Sequence, residues 1–183
     1  MENNGIGKLF EGVDRWTVLI YVLIVLVGFV AILSASYEEG AESIFSFSHF
    51  YMKQLVWMGI SFAVAVVVLL VDASIYHKWA YLFYVLGLLT LVAALLFGRE
   101  VNGAKAWFEI GSVRIQPVEF AKIATALALA RVMSSSSFSI NRAGDLFKVG
   151  LVICLPLLII VMQNDTGSGI VLVSLLFVLY REG

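Results

Sequence analysis

The sequence predicts an all-α polytopic membrane protein with six transmembrane helices, and three observations carry that prediction. Hydrophobic residues make up 61% of the 183 and charged residues 14%, whereas a soluble domain is about half apolar and about a quarter charged. Mean hydropathy is +0.98. Trp16 to Ser36 contains no charged residue, a run matching the roughly 20 residues a helix needs to cross the hydrocarbon core.

The elements follow in order. Met1 to Arg15 is a polar tail, and the first span, 16–36, begins after Asp14-Arg15 with Trp16 as an interfacial anchor. Its apolar run is too long for the core of a signal peptide, so it reads as an uncleaved helix. Residues 37–53 form a loop with an acidic start (Glu38, Glu39, Glu42) and an aromatic end that fits a short interfacial helix. The second span covers about 55–71, rich in Val and Ala, and the third 79–98, with a short turn between them. A loop, 99–116, leads into the fourth span, 117–133. A polar connector with four consecutive serines runs to Lys148. The fifth span, 149–163, and the sixth, 169–180, are separated by the polar break Asn164-Asp165-Thr166-Gly167-Ser168. No repeat divides the chain, so residues 1–183 read as one transmembrane domain. The chain stops at Gly183 directly after a span, which points to a longer protein continuing beyond it.

Lysines and arginines orient the spans. With the N-terminus inside, the inner segments hold seven (Lys8, Arg15, Lys78, Arg131, Arg142, Lys148, Arg181) and the outer loops four (Lys53, Arg99, Lys105, Arg114). The excess favours a cytoplasmic N-terminus. The 99–116 loop and the Asp165 break then share the outer face.

The stretch Asn102 to Lys122, NGAKAWFEIGSVRIQPVEFAK, concentrates the special residues. Glu119 and Lys122 are three apart and share a helix face. They follow Pro117, suited to a first helical position because it has no N–H to leave unpaired. Charges at membrane depth normally face a bundle interior or a wet cavity, so this pair either pins two helices together or lines a substrate groove. Asp165 sits where backbone is broken at membrane depth, tolerated only under protein cover or beside a cavity. It caps the sixth helix, faces the cavity, or does both. Trp107 reads as an interfacial anchor or as a platform for a sugar ring or lipid headgroup. Arg99, Lys105 and Arg114 are solvated loop charges or phosphate attractors, Arg being suited to bidentate contact.

Other classes are excluded. A net charge of −1 removes a nucleic-acid reading based on basicity. Cys154, the single cysteine, cannot form an intrachain disulfide and is expected as a small buried hydrophobe. His49 and His77 are isolated, on opposite sides of the membrane. No metal-ligand spacing, Walker loop, dinucleotide fingerprint or nucleophile elbow is present.

Asn102-Gly103-Ala104-Lys105-Ala106-Trp107, followed by Gln116-Pro117-Val118-Glu119-Phe120-Ala121-Lys122, resembles the signature of the SEDS family of bacterial cell-wall synthesis, which comprises the RodA, FtsW and SpoVE proteins. The family pattern is close to N-G-A-x-R-W and then Q-P-S-E-[FL]-x-K. Gln163 to Gly167 is similar to the family's Q-P-D-x-G. Asp14-Arg15-Trp16-Thr17 through Tyr21 looks most like the RodA branch. Ala106 stands where the family has a basic residue, Val118 where it has Ser, and Asn164 and Thr166 where it has Pro and Leu.

The resemblance implies the N-terminal part of a ten-span fold and a peptidoglycan glycosyltransferase. Such an enzyme polymerises lipid II at the outer face of the bacterial cytoplasmic membrane, here for elongation and rod shape. It implies a class B penicillin-binding protein as cross-linking partner, with other elongation-complex membrane proteins. The reaction would invert the anomeric carbon of the donor, with cationic groups or a divalent metal ion on the departing pyrophosphate. The family's general base, an aspartate, would lie beyond Gly183, leaving no catalytic residue in this chain and an inactive fragment. The substrate-binding or structural polar site would comprise Asn102, Lys105, Trp107, Gln116, Glu119, Lys122 and Asp165. A lipid II flippase, an FtsW-like division polymerase and a scaffold recruiting the cross-linking partner are the competing readings.

Overall fold

The computed structural model describes residues 14–36, 50–111 and 113–182. It comprises two compact units, Met1–Asp72 and Ala73–Gly183. The N-terminal tail and residues 37–49, with His49 and the first half of the expected interfacial helix (45–54), lie outside the described residues, and residues 50–54 are part of a long helix.

In the first unit, α1 (Arg15–Ala35) and α2 (Phe50–Leu70) pack on each other. The Asp14 carboxylate caps α1, accepting from the Trp16 and Thr17 amides at 3.1 and 3.3 Å and from Thr17 Oγ1 at 2.6 Å. The Thr17 hydroxyl and the Trp16 amide hold this carboxyl below its ordinary range. No residue of α1 is buried, as suits a helix that is apolar all round and solvated by lipid.

The second unit contains α3 (Ala73–Phe97), β1 (Arg99–Val101), β2 (Ala104–Ile110), β3 (Val113–Ile115), α4 (Pro117–Met133), α5 (Ala143–Met162), α6 (Thr166–Val173) and α7 (Leu175–Glu182). Among the described helices, α1, α2, α3 and α5 are long and apolar enough to cross a membrane. At 17 residues, α4 is shorter. The sixth helix is α6 and α7 together, interrupted at Ser174, which keeps helical φ and ψ. Its Oγ donates to the Val171 carbonyl at 2.6 Å, a local bond that competes with the helical ladder.

Several helices begin earlier than their expected spans, most of all α2 at Phe50, α3 at Ala73 and α5 at Ala143. Hydropathy locates the lipid-crossing portion of a helix, and the polar turns Phe50–Gln54 and Ala73–Lys78 extend it into the interface. Cys154 is exposed on α5, not buried; in a lipid-solvated bundle an outward face accepts the same small apolar residues as the core.

Close approach of α3 and α4 organises the unit. A Cβ placed on Gly87 would stand 3.4 Å from both Ala121 Cα and Ala124 Cβ, so small residues let the two backbones pack tightly. Leu91, Val118, Ala121, Ile160 and Leu172 close one buried cluster. Tyr84, Ala128, Leu129, Val149, Val152 and Ile153 belong to the other.

Pro156 lies inside α5 and has no N–H to give the Val152 carbonyl. Tyr84 Oη of α3 donates to that carbonyl at 3.1 Å, joining α3 to the place where the α5 ladder fails. Tyr84→Phe is therefore expected to cost about 1–2 kcal/mol, because a buried acceptor loses its partner. Pro156→Ala restores the missing N–H, so the same change in that background should be nearly neutral. Thermal melts of the four proteins of this cycle in detergent measure it.

Candidate functional site

The ends of α3 and α5 and the starts of α4 and α6 meet at one end of the second unit, with the three-stranded sheet over them. The sequence reading made residues 99–116 a loop; the chain instead forms an antiparallel sheet in the order β1-β2-β3. Asn102 (φ 53°) and Gly103 (φ 84°) form its first turn between paired Val101 and Ala104. Two successive positive φ values make the tight hairpin for which Asn-Gly is the characteristic pair. The second turn also uses a positive φ, 64° at Gly111.

The hairpin is bonded to the α5–α6 break. Lys105 N donates to the Gln163 carbonyl at 2.9 Å. Asn164, itself at φ 60°, donates through Nδ2 to the Gly103 carbonyl at 3.0 Å. Lys105 Nζ reaches back to the Leu96 carbonyl at 3.2 Å. The hairpin therefore rests on both the end of α3 and the end of α5.

Gln116, the residue before Pro117, donates from Nε2 to Asp165 Oδ2 at 2.8 Å. The other carboxylate oxygen accepts from the Ser168 amide at 3.2 Å and caps α6. Both side chains are half-buried. Two motifs 49 residues apart are thus joined by one charge-assisted hydrogen bond.

Gln163 was not among the candidate residues, yet it is the buried centre of the junction. It is 1% exposed, and its Nε2 donates to the Leu91 carbonyl of α3 at 2.8 Å. Its Oε1 is buried without a hydrogen-bond partner. Glu109 was missed as well. It accepts from Arg99 Nη1 at 2.6 Å and from Arg114 Nε at 2.9 Å, with both guanidiniums largely exposed. One carboxylate thus gathers two arginines across the sheet, and the set keeps a net positive charge. The cross-strand pairing of Glu109 with Arg114 would have revealed it had the strands been recognised.

The remaining candidates are spread around the junction. Asn102 is exposed at the hairpin tip, and Trp107 is half-buried on β2 opposite Arg99. Ala106, where the SEDS pattern carries a basic residue, is 1% exposed. Glu119 and Lys122 pair with each other at 2.8 Å, with side-chain exposures of 56% and 21%. With Phe120, Leu172 and Leu175 they line a groove of about 420 Å³ between α4 and the sixth helix. No hydrogen bond or ion pair among the described residues joins them to Asp165. Among the described residues no three His, Cys, Asp or Glu side chains come together as a metal site.

Residues 14–183 match the family model of the cell cycle proteins FtsW, RodA and SpoVE. The peptidoglycan glycosyltransferase RodA of Treponema pallidum is 38% identical over 136 residues, covering 70% of this chain and 30% of the relative. The stage V sporulation protein E of Bacillus subtilis is 32% identical over 166 residues, with 88% and 45% covered. The probable peptidoglycan glycosyltransferase FtsW of Thiomicrospira cyclica is 28% identical over 173 residues, with 92% and 45% covered. Among solved structures, the rod shape determining protein RodA of Thermus thermophilus superposes with a TM-score of 0.76 at 29% identity, covering 89% of this chain and 51% of that one. A chain from a peptidoglycan synthase complex in which polymerization and crosslinking are coordinated gives 0.75 at 28% identity, with 89% and 45% covered. The chain spans under half the length of these curated relatives.

Proposed function

Because the chain belongs to the FtsW, RodA and SpoVE family, we propose that it forms part of a peptidoglycan glycosyltransferase that polymerises lipid II at the outer face of the bacterial cytoplasmic membrane. The observation that carries this reading is the junction in which the hairpin, Gln116 and Asp165 come together at one end of the helices. It is a polar, partly buried floor beside exposed cations, suited to a sugar headgroup on a pyrophosphate. Seven inner against four outer lysines and arginines support a cytoplasmic N-terminus, which puts the junction outside.

In the proposed reaction the acceptor sugar's 4-hydroxyl oxygen attacks the donor's anomeric carbon. The bond from that carbon to the pyrophosphate oxygen breaks with inversion, undecaprenyl pyrophosphate leaves, and the hydroxyl proton passes to a carboxylate base. This chain's share is positioning: Trp107 offers a ring face to the sugar, while Arg99 and Arg114 attract the pyrophosphate charge. Glu119 and Lys122 line the groove beside it. A class B penicillin-binding protein would cross-link the product. The Treponema relative and the RodA-like first span support an elongation role.

In proteoliposomes carrying the protein as its gene encodes it, labelled lipid II should become glycan polymer. Trp107→Ala and Glu119→Ala should each lower the rate about tenfold or more, the order of loss that misplacing a substrate produces. Normal polymerisation by both variants would overturn the site. Headgroup translocation without polymer would replace the enzyme by a transporter.

A further inference from the structure

The opposite end of the second unit, where α3 begins and α4 ends, gathers cations and aromatic rings. Arg131, in the last turn of α4, donates from Nη1 to His77 Nδ1 at 2.6 Å and to the His77 carbonyl, and lies 5.5 Å from the Tyr81 ring centre. A guanidinium only donates, so Nδ1 is the acceptor and Nε2 carries the histidine proton, given to Ser134 Oγ at 3.0 Å. Arg131 retains Nε and Nη2 without a partner among the described residues. Lys78 Nζ, 5.9 Å from the Trp79 ring centre, has no hydrogen-bond partner among them. Asp72 at this end has its own partner, and Asp145 is held by Arg142 and Lys148. Among the described residues, two cations at this end, Arg131 and Lys78, are therefore left without a carboxylate.

An apolar groove of about 310 Å³ runs from this end along the α3–α4 seam, lined by Tyr76, Phe83, Gly87 and Thr90 on one side and Phe120 and Leu127 on the other. On α4, Phe120, Ala124, Leu127 and Arg131 follow a 4-3-4 spacing and share one stripe. Arg131 follows the groove residue Leu127 by one turn of α4, and its guanidinium is turned to His77 and Tyr81 of α3. Tyr76 to Thr90 measures about 21 Å at the helical rise, deeper than half of a hydrocarbon core of about 30 Å, the reach of one leaflet's acyl chain.

We propose that this cleft binds an anionic phospholipid, with its phosphate on Arg131 and Lys78 and one acyl chain in the groove. Arginine's free edge fits a phosphate bidentately, and Trp79 and Tyr81 sit at the level where aromatic rings meet headgroups. Basic pockets between transmembrane helices are the usual sites of such lipids. The site lies at the far end from the hairpin and is independent of the glycosyltransferase reading.

The test is native mass spectrometry of the detergent-purified protein titrated with phosphatidylglycerol and with phosphatidylcholine of identical chains. Phosphatidylglycerol should bind about 25-fold tighter, since each cation near a headgroup contributes about fivefold. Lys78→Gln, which removes no hydrogen bond from the fold, should lower that preference about fivefold, and Ile123→Trp in the groove should weaken both lipids. Equal binding of the two lipids, binding of neither, or an unchanged preference in Lys78→Gln overturns the proposal.

Discussion

Asp165→Ala is expected to destabilise the protein by about 2–4 kcal/mol and to abolish polymerisation, whereas Asp165→Asn should separate the two effects. The alanine removes the α6 cap to Ser168, worth about 1 kcal/mol. It also removes the acceptor of Gln116, a bond to a charged group worth about 1.5–3 kcal/mol. Asparagine caps as well as aspartate and still offers one oxygen, so its stability loss should stay near 1 kcal/mol. If the carboxylate charge shapes the headgroup site, Asp165→Asn keeps the fold and loses activity; if Asp165 is only a cap, it keeps both. Gln116→Ala combined with Asp165→Ala should fall short of the sum of the single effects, because either change alone breaks the shared bond. Thermal midpoints in detergent and polymer yield in proteoliposomes are the two measurements, and an additive double variant would mean the 2.8 Å contact carries no energy.

The helices were legible because charge-free runs of this length have few other solutions in water or lipid. The junction was legible only in pieces. Glu119 and Lys122 could be paired from helical spacing, and they are paired at 2.8 Å. Nothing in spacing could pair Gln116 with Asp165, since their contact exists only once α4 and α5 are packed beside each other. The hairpin was hidden differently. Asn102-Gly103 is a strong turn signal, but β1 and β3 are three residues each, too short for an alternation pattern to show. Without strands, Glu109 was one acid among loop cations rather than the carboxylate between Arg99 and Arg114. Gln163 was read as the edge of a polar break. Its burial depends on Leu91, 72 residues away, and a neutral amide closing an apolar run gives no hint of that. Cys154 failed for the environment: rules for which residues are inside are written for water, and its surroundings are lipid.

Gln163 offers the sharpest stability contrast. Its Nε2 bonds the Leu91 carbonyl, which as a mid-helix group also accepts along α3, while its Oε1 has no donor. Gln163→Leu keeps the volume, removes the orphaned acceptor and leaves no buried donor behind. The lost bond, about 1 kcal/mol, is offset by the orphan's relief, so the change should fall within about 1 kcal/mol of neutral. Gln163→Glu has nearly the same shape and the opposite outcome. It places a carboxyl at a site 1% exposed, beside Lys105, whose amide bonds the Gln163 carbonyl while its ammonium is turned to the Leu96 carbonyl. An uncompensated buried charge costs about 3–5 kcal/mol, and a carboxyl that stays protonated escapes that cost only as pH falls. The glutamate variant should therefore melt well below the leucine variant at neutral pH and approach it in acid, where the carboxyl is neutral. Thermal melts of the two variants between acid and neutral pH read this directly. Equal melting at neutral pH would mean that water reaches Gln163 and that the junction is wet to its centre.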